Sequence, residues 1–448
     1  MNRHKNIFFR KPTTNPYRIF MLLILILGGI WLIRQLETGA IRRPFTPTPT
    51  PTRAAQSFTL EGDAQFSAGQ LESAITAYQE ASRIDPDNAE VWAKLARIQA
   101  YSSALLTTDE QQRNRLQEAL ASIEKAVELA PDDSLAHATH AFVLDWNANT
   151  ILFGEDQAAD YLLQAEQSAV RALQLDNQNT LALAYYAEIL VDEQKWNQAE
   201  QYILQALEQD DALMDVHRVY AYVLESFGQY NQAIQEYDKA LAISPNLTFL
   251  YLRAGANYRR LAFGSQNDAT RTQLYESSLE YFAKAARINE QLGIEDPVPY
   301  LSIAKTYSQE GEYFVAARNI QRALEIDPAN ADIYGQLGIV YFKSRNYEGS
   351  IPAFKCAIRG CTEDESCDGR GGCGPNDEKA EVTGLALSAN TVVYYYTYGS
   401  VLAALSRPKE NYCEEAMLVM SEVRAQFSDA PDIMGIVQAG EAICYSLE

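Results

Sequence analysis

Four histidines and six cysteines in 448 residues leave little from which to build a catalytic metal centre. Sixteen prolines and 23 glycines exclude a collagen-like or low-complexity body. Bases are scarce where most of the chain lies. Residues 1–53 hold nine Lys/Arg against one acid, Glu37, while the remainder holds 28 bases against 58 acids. A body so acidic repels nucleic-acid phosphates before contact, so no nucleic-acid partner is expected. GxSxG, a P-loop and a dinucleotide fingerprint are all missing, and Gly369-Arg-Gly-Gly-Cys-Gly374 follows no strand and lacks the GK[ST] ending. These absences predict a protein with no catalysis, no metal, no cofactor and no small-molecule substrate. The 47% apolar residues are enough for a packed core.

One long hydrophobic run is present. Ile19 to Ile33 carries no charge, and Arg18 and Arg34 bound it. Extended over residues 18–36 it predicts a transmembrane helix in contact with the lipid bilayer. A cleaved signal peptide is the other reading, with Thr38-Gly39-Ala40 as a loose cleavage site. Arg3, Lys5, Arg10, Lys11 and Arg18 precede the run, and Arg34, Arg42 and Arg43 follow it. That bias keeps residues 1–17, a short basic tail, in the cytoplasm and puts the acidic body outside a cell membrane; with cleavage the body is secreted. Residues 37–54 include Phe45-Thr-Pro-Thr-Pro-Thr-Pro-Thr52, whose alternate prolines predict an extended, semi-rigid spacer.

From residue 55 to 359 apolar residues recur at helical spacing, and Asp-Pro or similar breakers end every second helix. Segments aligned on those breakers share a 34-residue period. One copy places Tyr300, Ile303, Ala304 and Tyr307 on its first helix, Gly311 at the turn, and Ala316, Ile320 and Ala323 on its second. The next has Tyr334, Leu337, Gly338 and Tyr341, then Tyr347, Phe354 and Ala357. Gly62, Ala221, Gly255, Ala304 and Gly338 stand where the paired helices must cross closely. Gly69, Gly228 and Gly311 suit a left-handed turn between them.

This pattern resembles the tetratricopeptide repeat family, W-x2-L-G-x2-Y then A-x3-F then A and P. The resemblance implies an all-α superhelical solenoid of about eight or nine antiparallel helix pairs, with a concave groove that binds a protein or peptide partner and does no chemistry. Extra residues in repeats 2, 3 and 6, including Thr107–Glu110, Asn147–Asn149 and Gly264–Asn267, are expected to lengthen those hairpins at polar tips.

Residues 360–390 read as a Cys/Gly-rich insert without helix or strand period, and 391–448 as a helical pair and a capping helix. Cys356, Cys361, Cys367, Cys373, Cys413 and Cys444 all lie in this end. Disulfides suit an even number outside the membrane, with Cys413–Cys444 across antiparallel helices. Zinc or free thiols are the alternatives. Asn390 is a candidate cap, and Tyr394, Tyr395, Tyr396 and Tyr398 read as packing. His137, His140 and His217 occupy packing positions rather than metal-ligand ones. Asn246-Leu-Thr248 is a lone glycosylation sequon.

In the family the groove is lined from positions 2, 5, 9, 12 and 13 of each first helix. Carried onto this chain, those positions hold Tyr101, Phe142, Trp146, Tyr222, Phe249 and Phe342, with Arg259, Arg260, Lys305 and Lys343 as cations toward the C-terminal end. Their acids include Asp145, Glu188, Asp192, Asp215 and Glu225. The expected ligand is apolar toward one end and acidic toward the other, unless the aromatics pack against neighbouring helices. The function these readings support is a membrane-tethered extracytoplasmic interaction scaffold. The alternative is a non-catalytic subunit of an envelope enzyme, secretion or assembly complex.

Overall fold

The computed structural model describes residues 15–38, 53–374 and 377–447. Most of the basic tail, the Thr-Pro spacer, Gly39-Ala40 and the two residues after Gly374 lie outside the described residues. The chain divides into residues 1–53 and the body 54–448.

In the first unit α1 (Pro16–Glu37) starts at Asn15, whose side chain accepts from the Tyr17 amide at 3.1 Å, with Pro16 in the first turn. Its 22 residues reach about 33 Å, enough to cross a hydrocarbon core. Its apolar side chains are exposed all round, from Ile19 to Ile33.

The body is helical throughout its repeats. The pairs are α2 (Ala55–Ser67) with α3 (Leu71–Ile84), α4 (Ala89–Ser103) with α5 (Asp109–Leu129), and α6 (Ser134–Asn147), followed by the single turn α7 (Thr150–Phe153), with α8 (Glu155–Leu175). Next come α9 (Thr180–Asp192) with α10 (Trp196–Gln209), α11 (Met214–Ser226) with α12 (Tyr230–Ile243), and α13 (Thr248–Gly264) with α14 (Asp268–Leu292). The run closes with α15 (Val298–Glu310) with α16 (Tyr313–Ile326), and α17 (Ala331–Lys343) with α18 (Tyr347–Arg359). Then follow α19 (Glu363–Gly369), α20 (Val392–Leu405), α21 (Cys413–Phe427) and α22 (Pro431–Tyr445).

Local chemistry sets these boundaries. Asn88, Asp133, Asn179 and Asn330 cap their helices through side-chain oxygens. The turn inside a pair needs a left-handed residue, met by Gly69, Gly228 and Gly311, and by Gln194 and Arg345 where glycine is missing. At the crossings a Cβ on Gly62, Gly255 or Gly338 would sit 2.6–2.7 Å from the ring of Tyr78, Phe282 or Phe354. The large residue that opens several first helices reaches back six positions to a carbonyl in the preceding turn. Trp92 Nε1 donates to Pro86 at 2.9 Å, Tyr251 to Pro245 at 3.1 Å and Tyr334 to Pro328 at 3.1 Å. His137 and His217 do the same toward Pro131 and Asp211. These imidazoles are turn locks.

The added residues of the three long hairpins enter the second helices. α5 and α8 have 21 residues and α14 has 25, against 14 in α3, α10, α12 and α16. Thr108, Asn149 and Asn267, in or beside the polar tips, cap α5, α7 and α14.

The superhelix is tight enough to touch itself. Gln70 Nε2 donates to the Leu292 carbonyl at 3.2 Å, Asn330 Nδ2 to Thr107 Oγ1 at 2.5 Å, and Asn390 Nδ2 to Asp109 at 2.7 Å. Asn390 therefore ties the C-terminal end to the second repeat instead of capping α20.

The insert is not irregular throughout, as its composition led us to expect. Thr362 and Glu365 form a capping box that starts α19. The signal was Thr-x-x-Glu, too short a stretch to register as periodicity. Disulfide Cys356–Cys361 ties the start of the insert to α18, Cys367–Cys373 closes a loop within the insert, and Cys413–Cys444 joins α21 to α22 with Cα atoms 5.4 Å apart. Tyr394, Tyr395 and Tyr398 are buried, and Met434, Val437 and Cys444 of α22 cover the last pair.

Candidate functional site

The first helices α4, α6, α9, α11 and α13 face one another across the superhelix, and that closeness decides what the groove residues do. Tyr101 is fully buried, with Phe142, Trp146 and Phe249 at ring-centroid distances of 5.1, 5.6 and 5.1 Å. Phe142 stacks on Tyr185 at 4.6 Å. Three of the expected anchors, Tyr101, Phe142 and Phe249, are thus core, because the opposite wall of the superhelix lies within ring contact. Trp146 and Tyr222 are half-buried and line a cavity of about 410 Å³.

The acids of this face form a chain of ion pairs through the interior. Asp215 accepts from Arg97, Tyr101 and Tyr185. Burial alone would raise its pKa; Arg97, then Arg218 and the two hydroxyls, overcome that and hold it below the usual value. Glu188 takes both terminal nitrogens of Arg218 at 2.7 and 2.6 Å, and Trp146 Nε1 at 3.3 Å. Glu225 accepts from Tyr237, Arg253, Asn257 and Arg260. The positional pattern missed Arg253, Tyr185 and Tyr237: Arg253 lies beside a lining position, and Tyr237 belongs to a second helix.

Beyond this network lies a basic stretch. Arg259, whose Nη1 donates to the Ser302 carbonyl at 3.2 Å, packs on Phe282 and is pushed down to about 10 by burial and then by Arg260. Lys305 is open to water on one side, and desolvation on the other, then Arg259, Arg260 and Lys343, hold it below its usual value. Lys305 and Lys343 make no ion pair among the described residues. Phe342 beside Lys343 is 38% exposed. The two halves of the groove therefore differ: one is closed, aromatic and acidic, the other open and basic.

Among the described residues no three His, Cys, Asp or Glu side chains converge to hold a metal.

The tetratricopeptide repeat model matches residues 187–248 and 301–365, and a related repeat model matches 62–101. Tetratricopeptide repeats are present in this body. Human IFIT1 solved with PPP-AAAA is similar in fold, with a TM-score of 0.53, 17% identity, and 89% of this chain and 92% of that chain covered. The same human protein with m7Gppp-AAAA gives a TM-score of 0.51, 16% identity, and 92% of each chain covered. A thermophilic TPR protein from Thermus thermophilus aligns at a TM-score of 0.37 and 19% identity, over 46% of this chain and 98% of that one. A comparison with curated proteins finds no match.

Proposed function

We propose that the chain is a membrane-tethered scaffold whose repeat body lies on the extracytoplasmic side. It holds a partner protein by an acidic segment laid along the basic end of the inner face. The observation that carries this reading is the cluster of Arg259, Lys305 and Lys343, on the three successive first helices α13, α15 and α17 of an otherwise acidic body, with Arg260 beside them already paired to Glu225. Burial first, and then their neighbours' charge, depresses two of them. Such repulsion is relieved by an acidic ligand, which gives both attraction and register. Phe342 offers an apolar anchor beside it. The exposed, apolar α1 with its basic flanks supports the tether. Three disulfides favour the oxidising side of the membrane. On this reading the chain performs no reaction; it positions its partner.

Capture of the partner from native membranes by the full chain tests the reading. Lys305→Glu with Lys343→Glu is expected to abolish capture, and wild-type capture to weaken as salt rises. Undiminished capture by the folded double variant would sink it. A stoichiometric enzyme in the eluate would make the chain a non-catalytic subunit of an envelope assembly. A nucleic acid there would make the phosphate-bearing ligands named for human IFIT1 the better guide. Protease added outside opened cells should digest everything after Arg53, and protection of the body would place it in the cytoplasm.

A further inference from the structure

The cavity on the inner face has charges that do not balance. Trp146, Tyr222 and Phe249 form its apolar walls, and Asp145, Glu188 and Asp192 its acids. Arg218 and Arg253 also reach it, but Glu188 takes the first with two hydrogen bonds and Glu225 the second at 2.7 Å. Asp145 on α6 and Asp192 on α9 are left over. Asp145 is 6% exposed and its Oδ1 has no hydrogen-bond partner among the described residues. Asp192 stands at the mouth, and the hydroxyl of Tyr222 donates to it at 2.5 Å.

A buried carboxylate with a free oxygen, beside a second carboxylate, is costly unless a positive charge joins them. Without one, the pair holds a proton. Burial first, then Asp192 and Glu188, pushes Asp145 well above the usual carboxylate range; Asp192 lies near 6. The groups acting on the pair are Glu188 on α9, Arg218 and Tyr222 on α11, and Arg253 on α13. From α4, Tyr101 gives its hydroxyl to Asp215.

The aromatic walls select among cations. A divalent metal needs six or more oxygens and keeps its water, which Trp146 and Phe249 cannot replace. An ammonium group on a methylene stem meets both needs: its N–H groups reach the carboxylates, and its stem and charge lie against the rings. We propose that this cavity binds a primary alkylammonium ion, with the nitrogen between Asp145 and Asp192. The site is separate from the basic stretch and does not rest on the acidic-segment reading. The ammonium can come from a free di- or polyamine or from a lysine side chain of a partner.

Titration calorimetry of the full chain with 1,4-diaminobutane, and separately with a capped Gly-Lys-Gly peptide, tests the proposal and distinguishes the sources. Either probe should bind at pH 8, release a proton, and lose up to about tenfold in affinity per pH unit as the pair is protonated below its folded pKa. Asp145→Asn, which keeps the shape and removes the charge, should cut affinity at least about tenfold, as should Asp192→Asn. Lys305→Glu should leave it unchanged, so failure of the basic-stretch reading and failure of this one are separable. Intrinsic tryptophan fluorescence should respond in the wild type, and the response should be lost in Trp146→Phe, which assigns it to the cavity rather than to Trp31, Trp92 or Trp196. No binding of either probe at pH 8 would overturn the proposal. So would binding indifferent to pH, or binding unchanged in folded Asp145→Asn.

Discussion

Arg97 and Asp215 stand 118 positions apart, yet Nε of Arg97 lies 3.3 Å from Oδ1 of Asp215. The pair bolts the second repeat to the fifth through the interior of the superhelix. A solenoid whose repeats touch only their neighbours lacks such a bolt. Asp215→Ala strands the half-buried Arg97 and leaves the Tyr101 and Tyr185 hydroxyls without their acceptor, and is expected to cost about 2–4 kcal/mol, read by chemical denaturation. The folded pKa of Asp215 is depressed, so its contribution is fully present above the ordinary carboxylate value and is lost as pH falls through the folded one. A loss under about 1 kcal/mol would mean the bolt bears no load.

The Asp145–Asp192 pair runs the other way. Both folded pKa values are raised, so the folded protein keeps protons that the unfolded chain gives up. Stability associated with the pair is greatest below the ordinary carboxylate value and is lost as pH rises through the folded values, near 6 for Asp192. Asp145→Asn should therefore raise the melting temperature at pH 8 and do little at pH 4. Removing an unsatisfied buried carboxylate is worth about 1–3 kcal/mol. Scanning calorimetry at the two pH values decides it.

Gln194 and Arg345 adopt φ of 62° and 64° at the turn position where Gly228 and Gly311 adopt 71° and 87°. Side chains are strained there, and glycine's extra freedom in the unfolded chain offsets only part of the gain. Gln194→Gly and Arg345→Gly should each stabilise by about 0.5–1 kcal/mol, and Gly311→Ala should destabilise by about as much or more. Denaturant midpoints with unchanged slopes would show it.

Removing Cys413–Cys444 opens a loop of 31 positions. Replacing both with serine should cost about 3–4 kcal/mol on the chain-entropy scale. The loss should appear first as faster amide exchange in α21 and α22, since that disulfide joins only those two helices. The short loops of Cys356–Cys361 and Cys367–Cys373 should cost less, about 2 kcal/mol each.

Trp146 shows why the groove could be read only partly. Its position in the repeat identified it as a lining residue, and it does line the cavity. The same rule named Tyr101 and Phe142, which are buried against each other, and Phe249, which is buried on Tyr101 and reaches the cavity wall. Trp146→Ala would now report on folding as well as on binding, since the ring also packs on Tyr101 and Phe142; Trp146→Phe is the cleaner probe.

The chain alone determined every feature that depends on neighbours in sequence. The helices follow from apolar spacing and from caps such as Asn88 and Asn179. The pairing follows from turn glycines and from small residues opposite Tyr78, Phe282 and Phe354. The transmembrane candidate follows from one uncharged run. Only the tertiary structure decided how tightly the superhelix coils, because coiling is the sum of small rotations at every inter-repeat contact and no single residue encodes it. That coiling brings Arg97 to Asp215 and Tyr101 to Phe249, fills half the groove with core, and leaves Asp145 facing Asp192 without a cation. At the other end of the inner face Lys305, Phe342 and Lys343 stay exposed, while Arg259 packs half-buried on Phe282 and Arg260 pairs with Glu225.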